Sequence, residues 1–214
     1  MDFSAIFQAD VVVFGCGNVL FGDDGLAPRA VALLAEEAAA SGRTEAAFVD
    51  AGTSIRALLT DLALTGARAR RVVVADVVQE AGRAPGSMRM EILGAPGPES
   101  AGAPGPESAG APGTVLVETL GAPGTVYEAA SGAESACAPE RQDMAGGWLH
   151  HAPTWGLLRR LRDVLGMEVV VLTVQAGHIP PCMDDSLSPA AREALPRLMA
   201  ALRAAAYGTG TVEM

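Results

Sequence analysis

The stretch "VVVFGCGNVLFGDDGLAPRAVALL", residues 11–34, decides the fold. Its opening "VVVFG" is a continuous apolar run ending in glycine, the pattern of a strand buried on both faces of a parallel sheet. The following "GLAPRAVALLAEEAAA" has helical spacing, with Leu26, Ala30, Leu33 and Leu34 on one side. A dinucleotide-binding turn would need G-x-G-x-x-G with no carboxylate facing the pyrophosphate. Here the glycines are Gly15 and Gly17, the third position is Leu20, and Asp23-Asp24 follow, so nucleotide binding is disfavoured. Taken alone, the turn also suits a tight strand exit in which Asp23 or Asp24 caps the helix, where a carboxylate interacts favourably with the helix dipole.

Working outward, "AAFVDAGT" (46–53) and "RRVVVADVV" (70–78) read as strands separated by the helical "IRALLTDLAL". Towards the end come a helix in "HAPTWGLLRRLRDVLG", a strand in "MEVVVLTVQAG" and a closing helix in "SPAAREALPRLMAALRAAAYG", with Ser188 as N-cap and Pro189 at the first helical position. Alternating strands and helices predict a single α/β domain over 1–214. Its expected form is a three-layer α/β/α sandwich around a doubly wound, twisted, mostly parallel sheet of about five strands. In 94–113 "GAPGPESA" occurs twice and "GAPGT" begins a third copy. Around it, "APGSMRMEILGAPG" (84–97), "APGTVLVETLGAPG" (111–124) and "APGTVYEAASGAES" (122–135) resemble partial copies of one strand-plus-turn unit. The expectation is a Gly/Pro-rich, low-complexity insertion over about 94–147, with "SMRMEIL" as an edge strand and the rest a flexible excursion. The alternative is that 114–120 adds a small hairpin outside the sheet.

The chain has 214 residues, half of them hydrophobic and only 4% aromatic, so Val, Leu and Ala must build the core. Its net charge of -10, from 15 Lys+Arg against 25 Asp+Glu, leaves no basic face for nucleic acid or an anionic membrane. Cys16, Cys137 and Cys182 are odd in number and widely spaced, which predicts neither a disulfide framework nor a zinc pair. The amino terminus lacks a basic leader, and no apolar run reaches about 18 residues, the length of a spanning helix, so the expected location is the cytoplasm.

Asp76 interrupts an otherwise apolar strand near its carboxyl end, where burying a lone carboxylate would cost several kcal/mol without a partner or a proton. In a sheet of order 2-1-3, the crevice opens between the carboxyl ends of strands one and three, and Asp24 and Asp76 converge there. Two carboxylates at such a point suit a cation better than a phosphate. The available histidines are His150, His151 and His178, the last expected on the rim. Cys16 has no histidine placed by sequence to activate it, which argues against a cysteine protease. Asp184-Asp185 are expected to solvate a turn before the last helix.

"GCGNVLFGDDGLAPRAV", "FVDAGT", "VVVADVV", "APGSMRMEIL" and "VVVLTVQAGHIPPCMDDSLSPAAREAL" together resemble the nickel-iron hydrogenase maturation endopeptidases, over most of the chain except roughly 94–147. Those proteases trim the carboxyl-terminal tail of the hydrogenase large subunit. The resemblance implies the same activity here, on a hydrogenase large-subunit precursor as partner. It also implies metal ligation by Asp24, Asp76 and one of His150 and His151. The family's histidine stands three residues before the Gly-Leu of the next helix, a position held here by Pro153, and His151 needs the smaller displacement. Nickel would arrive on the precursor and would not be a resident cofactor. Amides of Gly17 and Asn18 would hold substrate backbone or an oxyanion, with Asp50, Gly52 and Thr53 lining the groove. For Asp50 the alternative is an N-cap of the next helix. The rival function is a non-proteolytic metal-sensing or chaperone module that docks on an apo-metalloprotein.

Overall fold

The computed structural model describes residues 6, 8–65, 68–93, 115–120 and 152–208, with 115–120, 152 and 153 described in backbone alone. The strands are β1 (Val11–Cys16), β2 (Ala46–Gly52), β3 (Arg71–Val78), β4 (Met88–Leu93), β5 (Val115–Leu120) and β6 (Glu168–Gln175). The helices are α1 (Leu26–Ala40), α2 (Ile55–Leu64), α3 (Ala152–Leu165) and α4 (Pro189–Tyr207), with a 3₁₀ turn at Gly22–Gly25. The expected elements therefore form, each within a residue or two of its sequence bounds.

The strands make one sheet in the order β2-β1-β3-β6-β4-β5. The first four are mutually parallel, and β4 runs antiparallel to both β6 and β5. This corrects the expected edge in two ways. The sheet has six strands, because β5 joins it from within the insertion, and β4 lies inside the sheet between β6 and β5. The segment 115–120 is thus neither a loop nor a hairpin outside the sheet. Its apolar "VLVETL" supplies backbone donors and acceptors that the ladder to β4 satisfies, a bonding requirement that composition alone does not display. The remainder of the insertion lies outside the described residues.

Strand alternation divides the core. Val13, Val73, Ala75, Val77, Val170, Leu172 and Val174 pack against α1 and α4. Val12, Phe14, Cys16, Val49, Val72, Val74, Val169 and Val171 pack against α2 and α3. Each fully buried side chain of this kind stabilises the fold by about 1.5–3 kcal/mol. The layers are therefore helix, sheet, helix, as predicted. On α1 the buried stripe runs through Leu26, Ala27, Ala30, Val31 and Leu34. Leu33, expected on that stripe, is exposed, because Val31 and Ala27 take the inward positions. Among the described residues, no helix is long and apolar enough to cross a membrane.

Candidate functional site

With α1 and α2 on opposite faces, the switch point lies between the carboxyl ends of β1 and β3. The chain leaves β1 through Gly17, whose φ of 124° belongs to glycine, and a Cβ there would stand 1.9 Å from the carbonyl oxygen of Asp24. That approach folds the 3₁₀ turn back over the strand end. The Asn18 N–H donates to Asp24 Oδ2 at 2.8 Å, and the Gly17 N–H donates to the Gly52 carbonyl at 3.0 Å. Both amides are thus engaged inside the chain. One fixes the Asp24 carboxylate and the other ties the exit of β1 to that of β2.

The two adjacent aspartates divide their work. Asp23 is fully buried and accepts four hydrogen bonds, from the backbone N–H of Gly177, His178 and Ser188 and from the Ser188 hydroxyl, at 2.7–2.8 Å. It joins the turn to the exit of β6 and the start of α4. Ser188 in turn accepts from the Ala191 N–H at 3.2 Å, the N-cap expected from sequence. Asp24 is only half-buried, and its charge reaches Cys16 at the end of β1 and Asp76 on β3. Sequence spacing does not separate these roles, since the partners of Asp23 lie more than 150 residues away.

Asp76 is buried on β3, and its Oδ1 accepts the Val77 N–H at 2.7 Å. Burial raises its carboxyl from 3.8 to about 7; the Val77 bond opposes that rise and the nearby charge of Asp24 adds to it. The two candidate carboxylates are therefore brought within electrostatic reach of each other. Cys16 sits among them: burial pushes its thiol well above the ordinary value, with Asp76, Asp50 and Asp24 adding to the effect in that order. Such a thiol is a poor nucleophile, in agreement with the sequence reading. Asp50, exposed at the end of β2, accepts the Gly52 N–H at 2.9 Å, a local turn and not a cap of α2, whose N-cap is Ser54. Thr53 is exposed beside it. Next to Asp76 in register stands buried Thr173, whose hydroxyl accepts from Arg83 at 3.3 Å, a neighbour that the sequence alone did not reveal.

His150 and His151 lie outside the described residues. Only Gly166 and Met167 separate α3 from β6, so α3 runs back along that strand and its first turn, with buried Thr154, stands at the carboxyl end of the sheet. His178 is exposed on the rim, its backbone bonded to Asp23. Asp184 does more than solvate a turn: its backbone bridges Phe21. Among the described residues, no group of three or more His, Cys, Asp or Glu side chains is arranged to hold a metal ion. Asp24 and Asp76 offer hard oxygen donors that need further ligands from elsewhere.

The raised Asp76 carboxyl links stability to pH. The folded chain retains a proton that the unfolded chain releases between pH 4 and about 7, so the contribution of Asp76 is most favourable below that window and declines as pH rises through it. The full cost above the window is on the order of 4 kcal/mol. Asp76→Asn is expected to lack this decline. Urea unfolding at pH 5 and pH 8 should show the variant gaining on the native chain at the higher pH; equal changes in both would contradict the assignment.

No family model matches the sequence, and no curated protein matches it. Solved structures do. The [NiFe] hydrogenase maturation protease HybD from Thermococcus kodakarensis aligns with a TM-score of 0.51 at 17% identity, over 92% of this chain and 98% of that one. The maturation protease HycI from Thermococcus kodakarensis KOD1 aligns at 0.49 and 15% identity, over 95% of each chain. The hydrogenase maturating endopeptidase HybD from E. coli aligns at 0.48 and 19% identity, over 90% of this chain and 91% of that one. The chain has the fold of the [NiFe] hydrogenase maturation protease HybD from Thermococcus kodakarensis.

Proposed function

We propose that this chain is a cytoplasmic endopeptidase that removes the C-terminal peptide of a nickel-containing hydrogenase large-subunit precursor. The observation that carries this reading is the buried Asp76 at the carboxyl end of β3, whose carboxyl is raised first by burial and then by the nearby charge of Asp24. The shared fold with a protein named as such a protease supports it. Two carboxylates held close, one of them half-protonated near neutral pH, form a site that an arriving cation would complete. Nickel presented by the precursor is that cation and belongs to the substrate. Asp24 and Asp76 would add oxygen ligands to those the precursor supplies, and His151, or His150 in its place, would add an imidazole.

Hydrolysis then requires water to attack the scissile carbonyl carbon, a proton to leave that water, and the peptide nitrogen to depart protonated. A carboxylate released from ligation is the base within reach, and a carboxyl near neutral pH suits both halves of that transfer. Asn18 keeps Asp24 in place throughout, because its N–H holds Oδ2. Asp50 and Gly52 of β2, with Thr53 just after it, would line the approach taken by the tail.

The test is intact-mass analysis of a purified precursor incubated with the chain. Nickel-loaded precursor should lose its C-terminal peptide, and the verified nickel-free precursor should resist under chelation. Efficient cleavage of the nickel-free form would overturn the substrate-borne metal. A stable complex of unchanged mass would instead identify a docking module without protease activity.

A further inference from the structure

We infer that Val19, Leu20 and Met183 form a rigid apolar ridge beside Asp24 that docks an apolar patch on the folded body of the precursor. The inference rests on the proposed function, and it names the surface that selects the substrate. These three side chains are 39%, 45% and 74% exposed, large apolar groups left in water on two loops that meet.

Exposed apolar loops are commonly mobile, but the backbone here is held at several points. The Gly22 N–H donates to the Asp184 carbonyl at 2.7 Å, the Asp184 N–H donates to the Leu20 carbonyl at 3.0 Å, and Phe21 pairs with Asp184 as a parallel bridge. Arg29 fastens both loops from behind, donating to the carbonyls of Val19 at 3.4 Å and Asp185 at 2.6 Å. On the other side Gly25 packs so closely that a Cβ there would stand 2.6 Å from the Cα of Val19. A side chain presented on a backbone already ordered loses little entropy when a partner covers it, which is the condition for a binding hot spot.

The occupant follows from continuity with the site. The Leu20 N–H donates to Asn18 Oδ1 at 3.0 Å, and the Asn18 N–H holds Asp24. The ridge is therefore the outer part of the same loop that fixes the candidate ligand, and a protein delivering its tail to Asp24 must pass over it. Asp184 and Asp185 are exposed at its margin, so the matching patch carries Lys or Arg at its own edge.

The experiment uses the double variant Leu20→Glu, Met183→Glu. Both side chains are solvent-facing, so its melting temperature should stay within a few degrees of the native value. On nickel-loaded precursor, KM should rise at least about tenfold with kcat within about twofold, as expected when surface contacts outside the reacting centre are lost. An unchanged KM, or a fall in kcat with KM constant, would overturn the ridge. To separate this from failure of the proposed activity, calorimetric binding of the precursor is measured to Asp24→Asn with and without the double change. Loss of binding with the double change supports the ridge even if no cleavage is ever seen. Equal binding overturns it, and so does no binding by either form.

Discussion

Asp24→Asn and Asp76→Asn, made singly, are each expected to lower the rate of precursor processing by at least about 100-fold while the chain stays folded. Each change removes a candidate oxygen ligand and a candidate base with almost no change in volume. The surrounding bonds survive, because a new amide oxygen at position 24 can still accept the Asn18 N–H and one at position 76 the Val77 N–H. At position 76 the loss of a buried charge also raises stability above neutral pH, so inactivity there cannot be ascribed to unfolding. Time courses of intact mass, with melting curves on the same samples, make the comparison. Native rates in both folded variants would remove this pair from the chemistry.

The neighbouring Asp23→Ala should behave in the opposite way, with its main loss in stability. Its carboxylate satisfies three backbone N–H groups and one hydroxyl from a different part of the chain, and truncation leaves those part-buried donors without that acceptor. Hydrogen bonds to a charged group contribute about 1.5–3 kcal/mol each and do not sum fully, so a loss of about 3–5 kcal/mol is expected. For a domain of this size that corresponds to a fall in melting temperature of about 10 °C. Asp23→Asn should restore little, since an amide turns a donor towards some of those same donors. A melting temperature within two or three degrees of native, about 1 kcal/mol, in either variant would show that the turn is held elsewhere.

These opposed outcomes mark the limit of what residues 22–25 disclose by themselves. The parallel strands are legible in the sequence because burial on both faces forces unbroken runs such as "VVVFG" and "VVVLTV", and the switch point follows from strand order. Asp76 is legible for the same reason, as a charge inside such a run. Which aspartate of the pair faces the crevice is not legible, because the answer depends on Ser188 and Gly177 arriving from the far end of the chain. The amides of Gly17 and Asn18 look free in sequence, and only the returning chain at Gly52 and Asp24 engages them. The place of β5 was hidden because Pro/Gly repeats flank it on both sides, and its partner strand is itself a copy.

That kinship shapes the outer edge of the sheet. Met88–Leu93 and Val115–Leu120 occupy the same six positions of the duplicated unit, each preceded by Ala-Pro-Gly and a hydroxyl residue, Ser87 or Thr114. They pair first to last, Met88 opposite Leu120 and Leu93 opposite Val115, so an approximate two-fold axis runs between them. A strand ladder between two related segments is built from backbone bonds, which do not distinguish a partner in the same chain from one in another molecule. Concentration then decides between closure within one chain and exchange between two. The duplication that gave this sheet its sixth strand has also given it a symmetric seam along which two molecules can trade edges.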